Sequence, residues 1–73
     1  MVFDKIRTAL TECGFDGENA DADSSFETLG MGSLDIVEFV MALEELLDAA
    51  IDDDAVHGFA TLGDVFGYIE ANS

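Results

Sequence analysis

Residues 33–48, SLDIVEFVMALEELLD, carry two apolar stripes on one helical period, and any fold must account for both. Ile36, Phe39, Val40, Leu43 and Leu47 recur at i, i+3, i+4, i+7 and i+11, the spacing of a core-facing helix. Leu34, Val37 and Met41 form a second stripe, bordered by Glu38, Glu44, Glu45 and Asp48. The first stripe predicts a core. The second has no evident partner in a chain of 73 residues, which is enough for a single domain over residues 1–73. A domain of this size buries only about 60% of the surface its unfolded chain exposes, so its core is thin and a deep, enclosed active site is not expected.

The rest of the chain supplies partners for the first stripe. VFDKIRTALTECG spaces Phe3, Ile6, Leu10 and Cys13 as a first helix, with Gly14 as its stop. Residues 15–32, FDGENADADSSFETLGMG, hold no period and are rich in Asp, Gly, Ser and Asn. They read as a long loop pinned to the core by Phe15, Phe26 and Leu29, and loops of this length in small domains are often functional. A short helical turn is predicted at Asp53 to His57, ended by Gly58. A last helix begins at Thr61, with Asp64 three residues on as a variant capping box. It turns Leu62, Val65, Phe66 and Ile69 inward, while Gly63 and Gly67 each cost it about 1 kcal/mol relative to Ala. No segment alternates as a strand would. The predicted fold is all-α: a small four-helix bundle of three main helices and one short one, with a long loop after helix one.

Seventeen acidic residues against two basic ones give a net charge of −15, while 49% apolar residues argue for a folded chain. Such a charge repels nucleic acid and anionic membrane surfaces and attracts basic protein patches. Cys13 is the single cysteine, which leaves no intramolecular disulfide and no thiolate zinc cluster. The opening MVFDKIRTAL lacks a signal-peptide h-region, and no apolar run approaches the roughly 18 residues of a membrane span. The expectation is a cytoplasmic monomer without membrane insertion.

The candidate motifs sort quickly. An EF-hand loop begun at Asp16 would place Ala20 at a ligand position and Asp21 where the sharp turn needs Gly; one begun at Asp21 would place Phe26 there. Both registers fail, and no metal site is expected. His57 has no second histidine and no nearby cysteine, and reads as a surface residue near a helix end. Cys13 reads as a small core residue. Ser33 does not sit in a G-x-S-x-G elbow, because Asp35 occupies the last position. From local sequence alone Ser33 reads as the N-cap of helix two, but capping leaves the second stripe and its acids unexplained.

Taken together, LGMGSLDIVEFVMALEELLD resembles the acyl carrier protein family, whose pattern is Leu-Gly-x-Asp-Ser-Leu followed by an acidic helix. The likeness continues through Ile51, the acids at 52–54, Phe59, Thr61, Leu62, Asp64, Tyr68 and Ile69, so it covers nearly the whole chain. It implies that Ser33 carries 4′-phosphopantetheine donated by coenzyme A through a phosphopantetheinyl transferase. The arm's thiol would hold acyl thioesters for the enzymes of fatty acid, lipid or polyketide-type biosynthesis, and the chain itself would not be an enzyme. Leu34, Asp35, Val37, Glu38, Met41, Glu44, Glu45 and Asp48 would form the docking face for basic patches on acyl-transferring, chain-elongating or modifying enzymes. The acids would steer those partners and Met41 would give adaptable packing.

Three departures stand out. Gly32 occupies the position before the serine where the family has Asp, a residue that helps the transferase dock, and Met31 is bulkier than the residue often found beside it. The chain also lacks the proline that often follows the Ile51 position. Gly32 keeps open a competing reading: a carrier-like acidic helical protein that binds partners and is poorly modified or unmodified.

Overall fold

The computed structural model describes residues 2–72 and folds them into four helices: α1 (Val2–Glu12), α2 (Ser33–Leu47), α3 (Asp53–Val56) and α4 (Leu62–Ala71). Met1 and Ser73, the ends of the predicted domain, lie outside the described residues. The predicted all-α bundle of three main helices and one short one is what forms. Among the described residues the extended pairing is a single antiparallel bridge between Ser25 and Thr61.

The core follows the predicted faces. Ile6, Ala9 and Leu10 of α1 meet Phe39, Val40 and Leu43 of α2 and Leu62 and Val65 of α4, all buried. Helix α1 packs against both α2 and α4. Ile36 and Leu47 of the first stripe are half-buried against this cluster, as are Phe66 and Ile69 of α4. Ring contacts tie the elements together: Phe26 tilts on Phe39 at 6.0 Å, Phe3 meets Phe66 edge-on at 5.9 Å, and Phe59 meets Tyr68 at 5.7 Å. Each such pair adds about 0.5–1.5 kcal/mol beyond its area burial.

The long loop is more ordered than its composition suggests. Phe26 is buried as predicted, and Ala20 and Met31 join it in the core. Many of the loop's polar side chains close its turns. Asp16 accepts from the Asn19 side chain at 2.8 Å and from the Asn19 backbone at 3.3 Å, which holds its carboxyl below the usual carboxylate range. Asp21 accepts from the backbone of Asp23, and Ser25 accepts from that of Thr28. Three backbone bonds stitch the loop to the start of α4: Phe26 N–H to the Ala60 carbonyl, Leu62 N–H to Ser24 and Gly63 N–H to Ala22. A Cβ on Gly63 would lie 2.9 Å from the Ala22 carbonyl oxygen, so this glycine is required by a close approach and is not merely a weak point of the helix.

Helix α4 begins in the predicted capping box. Thr61 accepts from the Asp64 N–H at 3.2 Å, and Asp64 accepts from the N–H groups of Ala60 (2.9 Å) and Thr61 (3.1 Å). Those backbone donors, Ala60 first, hold the Asp64 carboxyl below its ordinary value. Helix α1 ends at Glu12, two residues before Gly14, which takes φ +90°. The short helix α3 ends at Val56 with His57 as its cap, one residue earlier than predicted. Helix α2 ends in a Schellman turn: Asp48 lies in the left-handed region at φ +52°, and the Ala49 N–H reaches the Glu44 carbonyl at 3.1 Å.

Candidate functional site

Between Phe26 and α2 the chain makes a turn at Gly30, Met31 and Gly32. Gly30 sits at φ +77°, a conformation that favours glycine. Met31, singled out in the sequence as bulky, is 7% exposed, and its N–H bonds the Phe26 carbonyl at 2.9 Å. The turn is therefore anchored from below by its largest side chain. Gly32 is extended at φ −85° and ψ −179°.

The N-cap of α2 is Gly32, not Ser33 as local sequence suggests; Ser33 is the first residue inside the helix and its side chain caps nothing. The physical reason lies at Asp35. Its carboxylate occupies the third helical position and accepts from the Gly32 N–H at 3.0 Å, while the Gly32 carbonyl takes the Ile36 N–H at 3.0 Å. This is the reverse half of a capping box, and it sets the helix start one residue earlier than the serine. The Ser33 hydroxyl is left exposed and uncommitted at a helix N-terminus, where free N–H groups and the dipole favour an anion.

Beside Ser33 lies a groove of about 210 Å³ lined by Ser33, Ile36, Val37, Val56, His57 and Phe59. Helix α2 supplies one wall, and Val56 at the end of α3 with His57 and Phe59 just beyond it supplies the other. Sequence reasoning placed His57 on the surface and did not connect Val56, His57 or Phe59 to Ser33. The available signal was Phe59, a large apolar residue just beyond the end of a helix too short to bury it.

The second stripe is on the surface: Leu34 is 80% exposed, Val37 48% and Met41 59%. Glu38, Glu45 and Asp48 are exposed around it. Asp35 and Glu44 differ from these acids. Asp35 is half-buried and turned back to Gly32, and Glu44 accepts the Ile51 N–H at 2.7 Å, tying α2 to the segment that follows it. Cys13 is a half-buried free thiol packed against the core; burial pushes its pKa up, and the charges of Glu38, Glu12 and Asp35 add to that. Among the described residues no group of three or more His, Cys, Asp or Glu side chains is placed to hold a metal ion, and no helix is long and apolar enough to cross a membrane.

The structure thus sets an exposed serine at a helix start, beside an apolar groove and an acidic helix with a bare apolar stripe. The family model for the phosphopantetheine attachment site matches residues 5–69. The acyl carrier protein of Clostridium acetobutylicum is 40% identical over 75 aligned residues, covering 100% of this chain and 97% of that protein. The acyl carrier protein of Wolinella succinogenes is 44% identical over 73 residues, covering 97% of this chain and 96% of that protein. The chain belongs to the phosphopantetheine-attachment family and, within it, to the acyl carrier proteins. Its prosthetic group is phosphopantetheine, and its role is to carry acyl groups rather than to catalyse their reactions. It works with a phosphopantetheinyl transferase and with acyl-handling enzymes. These matches favour the carrier over the unmodified interaction protein that Gly32 had kept open.

Proposed function

We propose that Ser33 is the residue that carries the 4′-phosphopantetheine arm, and that the chain is a monomeric cytoplasmic carrier for fatty acid, lipid or polyketide-type synthesis. The observation that carries this reading is the free, exposed Ser33 hydroxyl on the first turn of α2. In the loading step the Ser33 Oγ forms a bond to the phosphorus that bears the pantetheine arm of coenzyme A. The pyrophosphate P–O bond of coenzyme A breaks, the adenosine bisphosphate leaves, and the hydroxyl proton passes to a base on the transferase. The arm supplies a terminal thiol that holds acyl groups as thioesters.

The chain's own residues support that task in three ways. The N-terminus of α2 offers partial positive charge beside the attached phosphodiester. The groove of Ile36, Val56 and Phe59 gives an apolar cargo a surface next to the attachment point. Leu34, Val37 and Met41 form the apolar centre of a small docking face, and Glu38, Glu45 and Asp48 steer basic partners to it. Asp35 and Glu44, also expected in that face, each commit a carboxylate oxygen to the fold, so their share of docking is the smaller one.

Intact mass after co-expression with a broad-specificity phosphopantetheinyl transferase tests the assignment. The wild-type chain gains one phosphopantetheine mass and Ser33→Ala gains none. A mass gain on Ser33→Ala would show that the arm is attached elsewhere.

A further inference from the structure

We propose that Asp35 is a positioning residue for the loading of Ser33, acting through the Gly32 amide rather than through contact with the transferase. The proposal rests on Ser33 as the attachment residue. Gly32 has no side chain to fix the start of α2, and a Cβ built there would find only the Asp35 carboxylate within 4 Å, at 3.8 Å. Side-chain packing therefore does nothing to hold Gly32. Upstream, the turn is anchored by Met31 in the core. Between that anchor and the helix lie the soft torsions of Gly32, which set the direction in which Ser33 leaves the turn. The Asp35 carboxylate closes this gap by taking the Gly32 N–H at 3.0 Å.

The orientation of Asp35 fits this role better than a docking role. It is half-buried and points back along the helix, whereas Glu38 and Glu45 stand exposed. Its charge at the third helical position is also favourable to the dipole, so it strengthens the same turn twice. In-line displacement at phosphorus needs the attacking oxygen held in a narrow range of directions, and small misplacements of a reacting group are costly. Fixing Gly32 fixes where the Ser33 Oγ is presented.

The test compares Asp35→Ala and Asp35→Asn with wild type at low and high salt, each checked for a native amide spectrum. Asparagine keeps an oxygen that can accept the Gly32 N–H but removes the charge. Loss of the bond in Asp35→Ala should speed hydrogen exchange of the Gly32 amide about fivefold or more and lower kcat for phosphopantetheine transfer by a similar factor. That loss should appear at both salt concentrations, with KM changed little, and Asp35→Asn should stay within about threefold of wild type on both readouts. The proposal is overturned if Asp35→Asn loses as much as Asp35→Ala and the loss falls in KM and fades with salt, because that is the behaviour of a docking charge. Unchanged exchange and kcat in Asp35→Ala would also overturn it. Ser33→Ala run alongside separates the two readings: a mass gain there strikes the attachment site itself, while the Gly32 exchange rate reports the turn independently of it.

Discussion

Gly32→Asp restores the acid that the family usually places before the modified serine, and the structure allows its effect to be worked out. Gly32 has φ −85°, so the substitution carries no left-handed strain, and the new Cβ meets only the Asp35 carboxylate, at 3.8 Å. An Asp side chain at the N-cap gains only a few tenths of a kcal/mol over Gly. Against this, an exposed carboxylate at position 32, about 5 Å from the half-buried one of Asp35, is repelled by about 0.8 kcal/mol at the dielectric constant of water, and by less at physiological salt. Stability should therefore change by less than about 0.5 kcal/mol, and the change should become more favourable as salt is added. Loading should respond more. A new acid facing a basic group on the transferase is worth about 1 kcal/mol at an exposed site, or about fivefold in kcat/KM. The assay is a side-by-side time course of mass gain for the two proteins with one general transferase, with a thermal melt of each. Equal or slower transfer by Gly32→Asp, with unchanged melting, would refute the reasoning and point to a transferase matched to this turn.

Further outcomes follow from the same geometry. Gly67 lies in the interior of α4 with open space around its Cβ position, so Gly67→Ala should stabilise by about 1 kcal/mol and raise Tm by about 4–8 °C, whereas Gly63→Ala should lower Tm because its Cβ meets the Ala22 carbonyl. Ser33→Ala should shift stability by less than about 0.5 kcal/mol in denaturant melts, because Ser33 caps nothing; a loss as large as that of a true cap would contradict the helix start described above. The Asp64 carboxyl titrates below its ordinary value in the folded chain, so its stabilisation is fully present above the unfolded value near pH 4 and is lost as pH falls through the lower folded value. The stability gap between wild type and Asp64→Asn should accordingly be flat near neutral pH and close in acid, and a gap that does not narrow would count against the capping role. Glu38→Lys and Glu45→Lys should slow association with a basic acyl-handling partner several-fold at low salt and flatten its salt dependence, with little effect on Tm, as stopped-flow binding would show.

Much of this architecture was legible because periodicity and capping are local. The spacing of Phe39, Val40 and Leu43 gave the core face of α2, and Thr61 with Asp64 gave the start of α4. The exposed stripe of Leu34, Val37 and Met41 was legible for the same reason: a helix that small has only one core to face. What was misread depended on choices between near-equal local options. Serine is a better N-cap than glycine by propensity, but the back-bond from Asp35 to the Gly32 amide decides the register. The acids of the long loop fit no calcium register and showed no other task in the sequence, yet Asp16 and Asp21 are turn-closing acceptors, and composition cannot show which backbone N–H a carboxylate will meet. The groove beside Ser33 joins α2 to Val56 and Phe59 some twenty residues later in the chain, a juxtaposition that only the packed fold creates.

The central claim, that this chain carries phosphopantetheine on Ser33, is tested most directly by fragment mass spectrometry of the protein isolated from its own source. The account predicts one phosphopantetheine per chain, located on the peptide that contains Ser33 and released together with any acyl cargo bound to its thiol. A chain that is wholly unmodified in its source, or an arm mapped to another hydroxyl such as Ser24, Ser25 or Thr28, would contradict it.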